Sequence, residues 1–108
     1  MTPIQQLAAL RRVNPRAELW DEGGTPLVYL PAQKIQHGAK QIVADALLAP
    51  RAHSSYSTRL FLDRVFSRGQ NWTVHQICGR AWHTMSFNNV PASLPWVEIL
   101  AVHLGQLK

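Results

Sequence analysis

The chain has 108 residues, of which 46% are hydrophobic and 16% charged, and eleven Lys and Arg against six Asp and Glu give it a formal net charge of +5 at pH 7. This length suits one domain over residues 1–108, and the apolar content excludes a disordered chain. The charge favours an acidic partner, but the basic residues are scattered, which argues against a nucleic-acid binder with a basic stripe.

The first predicted element is a short N-terminal helix. Apolar residues follow at helical spacing from Ile4 onward, Thr2 can cap the amino-terminal end, and Pro3 suits the first turn. We expect this helix to end before the Asn14-Pro15 pair.

Four β-strands are predicted next. The stretch "AELWDEGGTPLVYL" places two runs of β-forming residues around a turn-rich centre, which is typical of a hairpin. The segments "QIVADALLAP" and "TRLFLDRVF" are predicted as the third and fourth strands, separated by the polar segment "RAHSSYS". The alanine-rich "VADALLA" is equally compatible with a helix.

Residues 67–89 lose hydrophobic periodicity and are dense in Gly, His, Trp, Asn and Ser, which is typical of a long structured loop. Such loops often carry function. After Pro91 an apolar face at helical spacing predicts an amphipathic C-terminal helix capped by Ser93. The predicted fold is therefore α+β, with one helix, a four-stranded antiparallel meander, a long loop and a helix packed on the sheet.

A single cysteine excludes an intrachain disulfide. The start "MTPIQQLAALRR" lacks the basic and apolar regions of a secretory signal, so we expect a cytoplasmic protein. The most apolar stretch, "VPASLPWVEILAVHLGQL", is interrupted by Pro, Glu, His and Gly, so no membrane segment is predicted.

This order of elements and several local sequences resemble the ubiquitin-conjugating enzyme (UBC) fold. "HSSYSTRLFLD", with Tyr56, is similar to the family's tyrosine-containing turn and fourth strand, and "QICGRAW", with Cys78, is similar to its "ICL"-like active-site context. "LPWVEILAVHLGQL" is similar to its long crossover helix. The family's His-Pro-Asn motif is missing, as in short bacterial ubiquitin-conjugating-like proteins that accompany activating-like, ubiquitin-like and JAB-type peptidase partners in systems linked to phage defence.

The resemblance implies a function and a set of residues. Cys78 would accept a ubiquitin-like protein as a thioester from an activating enzyme and pass it to a protein acceptor, and neither a metal nor an organic cofactor is implied. Asn71 lies nearest the place of the missing motif asparagine, which donates a hydrogen bond to the oxyanion. Arg11 and Arg12, on the first helix, resemble the basic surface that docks the activating enzyme. His83 is a candidate to orient or deprotonate the incoming nucleophile, because imidazole titrates near neutral pH.

The residues around Cys78 leave other chemistry open. Arg80, His75 and His83 suit a thiolate, since cationic neighbours stabilise it. A lone cysteine is also often a core residue, and the chain would then be a non-catalytic basic binding module for protein or nucleic acid. Zinc binding by Cys78 and the two histidines lacks a paired-cysteine motif and a fourth ligand. A papain-like hydrolase would need Cys, His and Asn in a cleft that is large for this chain.

Overall fold

The computed structural model describes residues 1–68 and 71–108, and within them two helices accompany a six-stranded antiparallel sheet. The helices are α1 (Pro3–Leu10) and α2 (Trp96–Gly105). The strands, in chain order, are β1 (Glu18–Glu22), β2 (Thr25–His37), β3 (Lys40–Ala49), β4 (Arg59–Leu62), β5 (Thr73–Ile77) and β6 (Arg80–Thr84). Across the sheet they lie in the order β1-β2-β3-β4-β6-β5.

Helix α1 forms where the sequence predicts it and for the predicted reason. The Thr2 side chain accepts a hydrogen bond from the Gln5 backbone N–H, and the Gln5 side chain accepts one from the Thr2 N–H. This reciprocal cap satisfies two amide groups that a helix end otherwise leaves free, and Pro3 occupies the first turn without losing a bond.

The predicted hairpin of β1 and β2 is also confirmed. Glu22 pairs with Thr25, and the two residues between them, Gly23 and Gly24, both have positive φ, at 57° and 91°. Strand β2 then runs on to His37, past a shift of register between Leu30 and Gln33. Pro31 lies at this bulge. A bulge can accommodate a proline because a residue there need not donate a hydrogen bond to the neighbouring strand.

The "VADALLA" segment is a strand, so the helical alternative is wrong. Ala44, Ala46 and Leu48 belong to one buried cluster, whereas Leu47 and Ala49 belong to another on the opposite side of the sheet. Because both faces of β3 are buried here, its apolar residues run on without the alternation that marks a half-exposed strand.

The prediction of a four-stranded meander followed by a long active-site loop is wrong. Strands β1 to β4 are consecutive neighbours, but the segment predicted as a loop contains the hairpin of β5 and β6, which extends the sheet to six strands through the pairing of Leu62 with His83. Strand β5 lies at the sheet edge and buries Ile77 alone among its five residues. It therefore shows no apolar periodicity.

Helix α2 lies where the amphipathic pattern predicts it, but Ser93 is not its cap. The helix begins at Trp96, with Pro95 at the N-cap position and no side-chain cap. The Gln6 side chain, on α1, accepts the hydrogen bond of the Trp96 N–H at 3.1 Å. Gln6, a residue of the other helix, thus satisfies one of the free backbone N–H groups that a local side-chain cap would otherwise satisfy.

Two apolar clusters lie on opposite faces of the sheet. The helices and the sheet enclose the larger one, which includes Leu10, Leu30, Leu48, Leu62, Ile99 and Leu100. The face away from the helices, called here the second face, holds Leu27, Leu47, Ala49, Phe61, Ile77 and Trp82, with Trp20 and Tyr29 packed against them. Trp20 on β1 and Trp82 on β6 have ring centroids 6.5 Å apart although three strands separate them. The side chains of this face therefore converge, as on the concave side of a curved sheet.

A buried polar chain ties α2 to the loop before β4. Thr58 Oγ1 donates to the Val90 carbonyl at 2.9 Å and lies 2.9 Å from His103 Nε2. Since the hydroxyl proton is used on Val90, Nε2 of His103 carries a proton and donates to Thr58. Burial lowers the pKa of His103 to about 4, so this imidazole is neutral at neutral pH.

Candidate functional site

Cys78 occupies the tip of the β5–β6 hairpin. Ile77 pairs with Arg80, and the two residues between them, Cys78 and Gly79, have φ values of 50° and 78°. Positive φ at both central residues is the pattern of a type I′ turn, where Asn and Gly are the usual residues. The thiol is free and the residue is exposed, so Cys78 is not a core residue.

The backbone at Cys78 is strained for a side chain of this kind. A left-handed conformation costs a residue other than glycine about 1–2 kcal/mol, and asparagine and aspartate tolerate it best because their side chains hydrogen-bond locally. Cysteine has no such compensation. The hairpin therefore holds its thiol outward at a cost in stability, which is a pattern common at functional sites.

Arg80 does not act as a free cation beside the thiol, because it is paired on the second face. Its guanidinium lies 3.0 Å from Asp45 Oδ2 and 4.5 Å above the Trp82 ring. Asp45 also accepts hydrogen bonds from the Ala32 N–H at 2.8 Å and from the Tyr29 hydroxyl at 3.4 Å. The Ala32 N–H, and after it Arg80, hold the pKa of Asp45 below its usual value. This network ties the turn end of the hairpin, next to Cys78, to β2 and β3.

The other predicted catalytic residues do not gather around Cys78. His83 lies on β6 opposite Val74, three residues beyond Arg80, which is roughly 10 Å of strand. Asn71 precedes β5, so the length of that strand, roughly 15 Å, separates it from Cys78. Neither residue has a hydrogen bond or ion pair to Cys78 in the described part of the chain. The geometry places a thiol at the surface without an adjacent base or oxyanion donor.

Arg11 and Arg12 lie at the carboxyl end of α1, and both are exposed. Arg11 donates from Nε to the Ala17 carbonyl at 3.0 Å, which ties the end of the helix to the start of β1. Arg12 is exposed and makes no side-chain hydrogen bond or ion pair among the described residues. Of the two predicted docking residues, Arg12 is therefore the freer to meet a partner.

A second polar cluster, which the sequence did not predict, lies on the second face around Arg59. Arg59 is 4% exposed, and its Nε has no hydrogen-bond partner. Its guanidinium lies 4.0 Å from the Tyr56 ring centroid and 5.9 Å from that of Phe61. Burial lowers the pKa of Arg59. The signal in the sequence was an arginine at the start of the apolar run "RLFL", but its burial depends on the loop folded over it.

Two histidines border this cluster. His53 Nε2 lies 3.0 Å from Glu22 Oε1, and His53 Nδ1 lies 2.8 Å from the Ser54 hydroxyl. His75, on β5, has its ring centroid 5.5 Å from that of Phe61. Burial lowers the pKa of His75, and the positive charge of Arg59 adds to the effect. His75 is thus oriented toward Arg59 and His53 rather than toward the thiol.

The zinc alternative finds no ligand set in residues 1–68 and 71–108, where no three His, Cys, Asp or Glu side chains stand close enough to hold an ion. Over the same residues, neither helix is long and apolar enough to cross a bilayer. Comparison with protein-family models, curated proteins and solved structures found no match to this chain.

Proposed function

We propose that this protein is a thiol carrier, which accepts a ubiquitin-like protein as a thioester on Cys78 from an activating enzyme and transfers it to an acceptor. The observation that carries the proposal is the exposed Cys78 in a left-handed turn position. Stability alone would favour asparagine or glycine there, so a strained and exposed cysteine suggests that the thiol is used.

The surroundings of the thiol favour exchange over hydrolysis. In a cysteine hydrolase, a histidine within hydrogen-bond reach deprotonates the nucleophile, and a fixed donor stabilises the oxyanion. His83 and Asn71 both lie too far along the hairpin for these roles. In thioester exchange between two cysteines, the Cys78 thiolate attacks the carbonyl of the incoming thioester and forms a new C–S bond. The cysteine of the activating enzyme leaves as a thiolate. Such exchange needs access more than a catalytic base.

The strand that leads to Cys78 offers an approach for an extended tail. Strands β1 and β5 are the two edges of the sheet. The β1 edge carries three acidic residues in five, a common protection against unwanted pairing, whereas Thr73–Ile77 contains no charged acid, lysine or arginine. Val74 on β5 is 58% exposed. A peptide tail that pairs with β5 in parallel would deliver its carboxyl end to Cys78.

The choice of a ubiquitin-like cargo rests on the sequence resemblance. "QICGRAW" carries the cysteine, and "HSSYSTRLFLD" spans the turn and strand where the family has its tyrosine. Arg12, exposed at the end of α1, is our candidate for contact with the activating enzyme. A protein acceptor and a phage-defence setting are implied by the same resemblance.

The test is a charging assay with an activating-like enzyme and a ubiquitin-like protein of the bacterial kind that the resemblance implies. With ATP and without reductant, the wild-type protein should form an adduct that reductant cleaves. Cys78→Ser should form a reductant-resistant oxyester, if any adduct, and Cys78→Ala none. His83→Ala and Asn71→Ala serve as matched controls and should still be charged, because both residues lie far from the thiol. Absence of a wild-type adduct while the activating enzyme is itself charged would overturn the proposal, and so would an adduct on Cys78→Ala.

A further inference from the structure

The environment of Arg59 leaves a buried positive charge without a counter-charge. Arginine stays protonated in proteins, and burying an ion away from water is costly unless an opposite charge compensates it. Among the described residues no carboxylate lies within ion-pair distance of the Arg59 guanidinium. Its neighbours are the faces of Tyr56 and Phe61, which supply a weaker attraction.

The acid of the cluster, Glu22, is already engaged. Glu22 meets His53 at 3.0 Å, and the other ring nitrogen of His53 meets the Ser54 hydroxyl. Arg59 Nε remains an unpartnered donor in a residue that is 96% covered. A buried donor without a partner in a native fold calls for a ligand, an ion or a water.

Side chains of intermediate exposure belong to the same cluster as this buried charge. Tyr56, His53, His75 and Glu22 are all of intermediate exposure. His75 Nε2 lies 3.1 Å from the Thr73 hydroxyl, which leaves Nδ1 available for a further hydrogen bond. Cation and imidazole donors that converge from two strands are the groups that recognise an oxyanion.

The loop above Arg59 is a tight turn with a strained backbone. His53 and Tyr56 pair with each other, and the two residues between them, Ser54 and Ser55, have φ values of 52° and 72°. Tyr56 is thereby held over the guanidinium. The turn thus fixes the Tyr56 ring over Arg59. That ring and the side chains of His53, His75 and Glu22 beside it form what is called here the rim.

We propose that Arg59 is the central group of a binding site for an oxyanion, the phosphate or carboxylate group of a ligand, at the rim formed by Tyr56, His53, His75 and Glu22. The anion would accept hydrogen bonds from the Arg59 guanidinium and from His75, and it would neutralise the buried charge. This site is separate from Cys78 and does not depend on the thiol's function. Glu22 should oppose binding, because its charge has the same sign as the ligand.

The test is titration of the purified protein with sodium phosphate and with sodium acetate, each against sodium chloride at matched ionic strength. The readouts are the melting temperature and the ¹⁵N–¹H resonance of the Arg59 Nε–H group. We expect a saturable rise in melting temperature and a saturable shift of that resonance with at least one of the two anions. Phosphate stands for a phosphate ligand and acetate for a carboxylate ligand. The anion whose response saturates at the lower concentration identifies which of the two groups the site prefers.

Three variants make the test specific. Arg59→Met should lose the anion response and keep or gain stability in chloride, because an apolar side chain removes the unpaired charge. Arg51→Met removes an exposed arginine at the start of the same loop and should keep the response. Glu22→Gln should bind the anion more tightly, by a factor of about three to ten, as expected when a nearby like charge is removed.

Four results would overturn the proposal. One is that neither anion gives a saturable change in the wild-type protein. Another is that Arg59→Met responds to the anion as the wild type does. Loss of stability in Arg59→Met in chloride would show that the guanidinium serves to hold Tyr56 in place. If Arg59→Met does not fold, the Arg59 Nε–H resonance of the wild-type protein serves as the test. The fourth contradicting result is that neither anion shifts this resonance.

Discussion

Replacing Cys78 with asparagine should make the folded protein more stable, although it removes the thiol on which the proposed function depends. The φ of 50° at Cys78 costs a residue other than glycine about 1–2 kcal/mol, and asparagine recovers part of this through local hydrogen bonds. We expect Cys78→Asn to raise the free energy of unfolding by about 0.5–1 kcal/mol.

This gain can be converted into a melting temperature. At about 2.1 cal/mol/K per residue, the entropy of unfolding of this 108-residue chain is about 230 cal/mol/K, so 1 kcal/mol corresponds to about 4 °C. Cys78→Asn should therefore melt about 2–4 °C above the wild type in a circular dichroism or calorimetric scan with reductant present.

Two other variants serve as controls for the same turn. Cys78→Ala also removes the thiol but keeps a side chain that tolerates the left-handed region poorly, so it should not share the gain. Gly79→Ala puts a side chain at φ 78° and should lower stability by about 1 kcal/mol. A Cys78→Asn variant that melts at or below the temperature of Cys78→Ala would refute the argument that this cysteine is retained at a cost.

Three further predictions concern other parts of the molecule. Because burial lowers the pKa of His103 from 6.5 to about 4, only the unfolded state binds this proton between those values, and stability should fall by up to about 3 kcal/mol as the pH drops from 6.5 to 4. Urea titrations across that range should show a much smaller fall in His103→Gln, and an equal fall would contradict the assignment. Asp45→Asn removes the carboxylate that binds Arg80 and should cost about 1 kcal/mol in urea unfolding, whereas no loss would show that the network contributes nothing. Arg12→Glu should slow charging by the activating enzyme while changing stability by less than about 0.5 kcal/mol, and an unchanged charging rate would remove Arg12 from the docking surface.

The elements that the sequence predicted well are those with local signals. The Thr2 cap with Pro3 marks α1, and the Gly23-Gly24 pair marks the first hairpin, since each signal acts within a few residues. The apolar periodicity after Pro91 similarly marks α2. Its start was predicted too early, because the group that caps it is Gln6, which is 90 residues away in sequence.

The second hairpin escaped prediction because its signals are weak. The β5 edge strand buries little, and its turn begins with cysteine rather than with asparagine or glycine. The same error placed Cys78 in a loop near Asn71 and His83. Once the register of the hairpin is known, the three residues separate along its length.

The Arg59 cluster could not be predicted from the sequence in any direct way. Its members come from β1, the loop before β4, β4 and β5, and they meet because the second face is curved. The sequence shows that an arginine precedes an apolar run, but only the folded chain shows that the acid of the cluster, Glu22, meets His53.

The most direct test of the central claim is mass spectrometry of the protein after charging. The wild-type protein, incubated with ATP and the activating-like and ubiquitin-like proteins that we propose as its partners, should gain the mass of one cargo molecule less one water. Digestion without reductant should map the bond to the peptide that contains Cys78. A bond mapped to any other residue, or an unmodified Cys78 beside a charged activating enzyme, would contradict the account.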